Sequence, residues 1–117
     1  MKYYGITDRG LVRKNNQDSY VIATDQADDV FAIVADGIGG NSGGDIASGI
    51  TVSMFSRAFS EKCGFESLAS AKKWIEDMID EVNHEIYSYG LAHPEVKGMG
   101  TTLSGVMITP LGKLVVN

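Results

Sequence analysis

The apolar run Val30-Phe31-Ala32-Ile33-Val34-Ala35 leads straight into Asp36, and Asp36 into Gly37-Ile38-Gly39-Gly40-Asn41-Ser42-Gly43-Gly44. A run this short and this apolar reads as a buried strand, and the nearly bare backbone beyond it as a tight turn opening a helix. The chain must therefore fix a carboxylate at the end of a strand, beside exposed carbonyls and amides. A hard divalent cation and a phosphate oxygen both take such groups. Alone, the pattern also suits a plain turn with a helix cap, which glycine and aspartate favour. A dinucleotide loop fits worse. Asp36 would repel a pyrophosphate, and two helical segments follow where that fold needs a second strand.

The remaining segments are ordered strand-strand-strand, helix-helix, strand-strand. Residues 2 to 7 read as a short strand before a turn at Asp8-Arg9-Gly10, and Tyr20 to Thr24 as the partner of Val30 to Ala35 in a hairpin. The linker Asp25-Gln26-Ala27-Asp28-Asp29 lacks the ligand pattern and central glycine of a calcium loop, so a solvated turn is expected. Ser42 and Asp45 form a candidate cap for a helix with Ile46, Ala47, Ile50, Met54, Ala58 and Phe59 at near-helical spacing, closed by Gly64. A second helix is predicted from about Ser67 to Tyr89. Its stripe of Leu68, Ala71, Trp74, Ile75, Met78, Ile79, Val82 and Ile86 belongs to a core, and Lys72/Glu76 and Lys73/Asp77 lie opposite at i, i+4. His93-Pro94 marks a loop, Thr101 to Thr109 a strand, Pro110-Leu111-Gly112 a turn and Lys113 to Val116 a further strand. Segregated runs of this kind predict an α+β fold with helices packed on antiparallel sheet.

At 117 residues the chain has room for one modest core, and 44% hydrophobic with 21% charged residues is ordinary for a globular protein. A net charge of −5 without any basic stripe argues against nucleic acid and against an anionic membrane surface. Cys63 is the sole cysteine, so no internal disulfide forms. A thiol phosphatase would need an arginine where Ala69 stands, which leaves Cys63 inert near a helix end. No signal pattern or membrane-length stretch occurs, and a cytoplasmic location is expected. His84 and His93 lack metal-spaced partners and read as surface residues. The apolar end Leu114-Val115-Val116-Asn117 leaves an unpaired edge that soluble proteins avoid, so the sequence reads as cut there.

In an antiparallel hairpin the start of one strand lies beside the end of its partner, so Asp18 and Asp36 are expected to be neighbours. Two carboxylates held close repel unless a cation intervenes. Arg13 is near enough in sequence to offer a forked donor to a phosphate at the same rim. The alternative for Arg13 and Asp18 is a surface salt bridge of little energetic weight.

The segments Gly10-Leu11-Val12-Arg13-Lys14-Asn15-Asn16-Gln17-Asp18, Val34-Ala35-Asp36-Gly37-Ile38-Gly39-Gly40 and Gly98-Met99-Gly100-Thr101-Thr102-Leu103 resemble, in family order, the metal-dependent serine/threonine protein phosphatases (PPM, or PP2C-like), bacterial type. The resemblance implies an antiparallel β-sandwich flanked by helix pairs, with 1–117 a truncated domain covering about the first half. It implies two Mn2+ or Mg2+ ions in the complete domain. Asp36 would bridge them, the Gly37 carbonyl would bind one, and Asp18 would bind metal-coordinated water. Arg13 would hold the substrate phosphate, and Gly100, Thr101 and Thr102 would pack near the metal end of the sheet. The reaction implied is hydrolysis of phosphoserine or phosphothreonine in a phosphorylated protein by a metal-bridged water. Gln17 stands where many relatives carry Glu, Ile38 where eukaryotic relatives often carry His, and the later acidic ligands of the family are absent. The fragment alone is therefore expected to be weakly active or inactive, and to self-associate or pair with a missing C-terminal half. The alternative is a non-catalytic module that binds a phosphorylated partner.

Overall fold

Alternating burial along the strand that ends at Asp36 sets the architecture. Phe31, Ile33 and Ala35 are buried, whereas Val34 and Asp36 are exposed, so one face of this strand meets a core and the other does not. The computed structural model describes residues 18–39 and 43–117. The strand expected over 2 to 7, Arg13 and the Ser42 cap lie outside the described residues. Strand β1 (Asp18–Thr24), β2 (Val30–Ile38), β3 (Gly100–Thr109) and β4 (Gly112–Val116) form one antiparallel sheet in the order β1-β2-β3-β4. Between β2 and β3 the chain forms α1 (Gly43–Ser60), α2 (Leu68–Ala92) and a 3-10 turn at Pro94–Val96. Helix α1 lies across β1, β2 and β3, while α2 packs on α1 and reaches β4. This is the expected α+β layering.

The core is aromatic. Phe31 on β2 meets Phe55 of α1 edge-on at 5.8 Å between centroids, Phe59 at 5.5 Å and Trp74 of α2 at 6.3 Å. The predicted stripe of α2 holds, with Ala71, Ile75, Met78, Val82 and Ile86 buried and Trp74 and Ile79 packed against them. Ser67 caps this helix by accepting from Ser70 N at 3.0 Å, while Ser70 Oγ accepts from Ser67 N at 3.1 Å. Such a cap contributes about 1 kcal/mol. The helix runs to Ala92, past the expected end. There His93 stacks on Tyr89 at 4.0 Å and is half-buried; His84 is exposed. Lys73 pairs with Asp77 at 3.1 Å on the exposed side.

Three expectations are corrected. The buried face of α1 is Gly44, Ala47, Ser48, Thr51, Phe55 and Phe59, whereas Ile46, Ile50, Met54 and Ala58 are only partly buried. Ser48 and Thr51 enter the core because their hydroxyls bond within the helix, Thr51 Oγ1 donating to Ala47 O at 2.8 Å and Ser48 Oγ to Asp45 O at 3.3 Å. Second, the turn at 25–29 is solvated only at its tip, where Gln26, Ala27 and Asp28 are exposed, while Asp25 and Asp29 at its ends are buried. Third, among the described residues β2 is covered on one face only. Val34, Ile38 and Val115 are 47%, 58% and 70% exposed on the sheet surface away from the helices.

Candidate functional site

The hairpin register carries the site. Asp18 lies directly opposite Asp36, and register partners of an antiparallel pair are about 4.5 to 5.5 Å apart at Cα. On the other side of β2, Asp36 pairs with Thr102, Gly37 with Thr101 and Ile38 with Gly100. Asp18, Asp36 and Thr102 therefore form one rung across three strands, at the rim where β2 runs into the glycine segment. Thr102 Oγ1 reaches the Asp36 carbonyl at 3.5 Å. The Asp36 side chain is exposed on the sheet face away from the helices.

Gly37 fixes this rim to α1. A Cβ there would stand 2.0 Å from the Gly44 carbonyl oxygen, so the first turn of the helix sits directly on the end of β2. Gly39, with φ of 140°, turns the chain where a Cβ would come within 3.2 Å of Met99 Cα. Gly43 in turn abuts Met99 and Val96, so the helix N-terminus is wedged between the exit of β2 and the approach to β3. Two parts of this assembly escape sequence reasoning. Gly44 is one, hidden in a glycine-rich run whose members look alike. The other is the pair Ser19 and Ser48, whose hydroxyls meet at 3.1 Å and tie α1 to β1 one residue inside Asp18.

Two carboxylate residues on one rung and an adjacent backbone carbonyl are hard oxygen donors, the kind Mg2+ and Mn2+ take. They amount to part of a coordination shell. Among the described residues no group of three or more His, Cys, Asp or Glu side chains is placed to hold a metal ion. Arg13 lies outside the described residues. No helix among them is long and apolar enough to cross a membrane.

A four-stranded antiparallel sheet with a helix pair on one face, and an acidic rim beside a glycine turn, define the class as an α+β fold with an oxygen-rich rim. The family model described as Protein phosphatase 2C matches residues 12–117, and the chain belongs to that family. It is 33% identical over 111 residues to the serine/threonine phosphatase stp of Listeria monocytogenes serotype 4b, covering 95% of this chain and 44% of that protein. The crystal structure of the serine/threonine phosphatase Stp1 from Staphylococcus aureus superposes with a TM-score of 0.80 at 28% identity, over 90% of this chain and 41% of that one. The catalytic domain of the serine threonine protein phosphatase PstP, in complex with 2 manganese ions, gives a TM-score of 0.71 at 28% identity, over 94% and 45% of the two chains. The chain thus spans less than half the length of these relatives.

Proposed function

We propose that this chain forms part of a divalent-metal-dependent phosphatase acting on phosphoserine and phosphothreonine in proteins, with Asp18, Asp36 and the Gly37 carbonyl contributing to a site for Mn2+ or Mg2+. The observation that carries this reading is the direct pairing of Asp18 with Asp36 at the rim. When bound, the ions supply Lewis acidity toward water and the phosphoryl oxygens. The chain's own residues position. Gly37 and Gly44 lock the carboxylate-bearing end of β2 to α1, Thr102 holds the Asp36 backbone, and Arg13 offers paired N–H donors to the substrate phosphate.

The small number of acidic side chains at the rim among the described residues favours a second reading for the isolated chain. A phosphatase-fold module with an incomplete shell would bind a phosphorylated partner without hydrolysing it. Titration of Mn2+ into the 117-residue chain, with p-nitrophenyl phosphate turnover measured alongside, separates the two. Weak Mn2+ binding is expected, reduced about tenfold or more in Asp36→Asn, with little or no turnover. Two bound ions and robust turnover would establish a self-sufficient enzyme. Mn2+ affinity indifferent to Asp36→Asn would remove this residue from the metal site.

The apolar sheet surface around Val34, Ile38 and Val115 is the basis for a proposed partner, either a second copy or further phosphatase-fold polypeptide laid against it. The weight-average mass from light scattering is expected to rise with protein concentration. A concentration-independent monomer would count against this surface as an interface.

A further inference from the structure

The closed end of the β1–β2 hairpin, far from the Asp18–Asp36 rim, holds a second pair of acids that the proposed chemistry does not use. Asp25 and Asp29 flank this turn and are 6% and 2% exposed. Asp25 is saturated with donors. Its Oδ1 accepts from the backbone N–H of Ala27 at 2.8 Å and of Asp29 at 3.0 Å, and its Oδ2 from that of Gly64 at 2.9 Å. Gln26 N also donates to Lys62 O at 2.9 Å, so two bonds cross from the turn to the segment joining α1 to α2. Asp29 differs. Its Oδ1 has no partner among the described residues, while its backbone N–H is one of the donors to Asp25 Oδ1, which sets the two acids side by side.

An ionised Asp29 would bury one negative charge against another. A protonated Asp29 removes that buried charge and has an O–H to offer toward the neighbouring Asp25 carboxylate. A metal ion is a poor alternative occupant, because the Asp25 oxygens already serve three amides and Lys62 lies close by. Lys62 Nζ donates to Gly64 O at 2.6 Å and sits 3.4 Å from the centre of the Phe65 ring. Its charge favours the ionised form of Asp29, while Asp28, exposed in the same turn, opposes ionisation. Glu61, Cys63 and Glu66 on the facing segment are exposed. We propose that Asp25 and Asp29 hold one proton between them and form a proton-dependent clasp fastening the hairpin turn to the α1–α2 connection.

The direction of the pH effect follows from the two environments. Burial, then the hydrogen bond and charge of Asp25, push Asp29 above the ordinary carboxylate value. Burial acts upward on Asp25 as well, but the N–H groups of Gly64, Ala27 and Asp29 and the Asp29 carboxyl outweigh it and hold Asp25 below that value. The native chain keeps the Asp29 proton where the unfolded chain has released it. That stabilisation is complete below the ordinary carboxylate range and is lost as pH rises through the raised Asp29 value. Asp25 contributes stability that is present above the ordinary range and lost as pH falls through its lowered value. The clasp is tightest between the lowered Asp25 value and the raised Asp29 value.

Hydrogen exchange of the Gly64 and Ala27 amides in the full chain tests this. As pH rises from about 4 through the Asp29 midpoint read from its carboxyl carbon-13 titration, their protection, corrected for intrinsic exchange, is expected to fall about tenfold, while Asp29→Asn, which keeps a donor but cannot titrate, stays flat. Protection that does not fall in the unsubstituted chain, or falls equally in Asp29→Asn, overturns the clasp. Should Asp29→Asn fail to fold, the carboxyl carbon-13 titration of the unsubstituted chain decides. A midpoint for Asp29 above the ordinary aspartate range sustains the proposal, and one within or below it refutes it.

Discussion

Gly37→Ala is expected to lower the free energy of unfolding by about 3 kcal/mol or more, the upper end of what overpacking does. The added Cβ would stand 2.0 Å from Gly44 O, 2.4 Å from Gly44 C and 2.7 Å from Gly44 Cα. All three are backbone atoms in the first turn of α1, so no rotamer change relieves the clash and the helix N-terminus must move as a body. That movement would disturb the packing of Gly43 on Met99 and Val96 and shift the rim carrying Asp36. The cause is close approach, because the left-handed backbone lies at Gly39, not at Gly37. Gly49→Ala is the matched comparison within α1. A Cβ there meets nothing within 4 Å, so the exchange is expected to stabilise by about 0.5–1 kcal/mol through helix propensity. Urea unfolding of the two variants beside the unsubstituted chain measures both. Equal midpoints for Gly37→Ala and the unsubstituted chain would show that α1 does not seat on β2 as described.

The rim was legible because it follows from connectivity alone. A strand beginning at Asp18, a short linker and a strand ending past Asp36 leave an antiparallel pairing little freedom, and a one-residue slip would move Phe31 and Ile33 out of the core. The long stripe of α2 was legible for a similar reason, since its apolar residues hold register over many turns. The α1 face was misread because small hydroxyl residues count as polar in any hydropathy pattern. Ser48 and Thr51 satisfy themselves on neighbouring carbonyls and become core residues, displacing the Ile46–Ile50–Met54 side to a partly buried position. The acidic turn was misread more deeply. Nothing local distinguishes Asp25-Gln26-Ala27-Asp28-Asp29 from a solvated loop. Its burial depends on Gly64 and Lys62, contributed by the segment that joins α1 to α2. Sheet coverage was likewise beyond local reading, as an apolar run does not disclose whether one face or both will be covered.

Phe31→Ala is the core substitution expected to cost most, about 3–5 kcal/mol. Phe31 is 1% exposed, and its ring touches Phe55, Phe59 and Trp74, so its removal leaves a void bounded by three aromatic groups on two helices. Those rings cannot collapse inward without breaking their own edge-on contacts, such as Phe55 with Trp74 at 6.0 Å and Phe59 with Trp74 at 5.7 Å. Against a total stability on the order of 5–15 kcal/mol for a domain, a loss of this size removes a large share of the folded population's margin. Phe31→Leu keeps most of the buried area and is expected to lose about 1–2 kcal/mol. The consequence for the rim is indirect. Asp36 lies five residues further along β2, about 16 Å away, on the exposed face of the strand, whereas Phe31 is on the buried one. In a stabilising osmolyte that keeps the Phe31→Ala chain folded, Mn2+ affinity is therefore expected to stay within about twofold of the unsubstituted chain. A cost below about 1 kcal/mol would mean the aromatic cluster is not the core of this sheet and helix pair. A large loss of Mn2+ affinity in the folded variant would mean that the rim is held by the core and not by the Gly37–Gly44 seat.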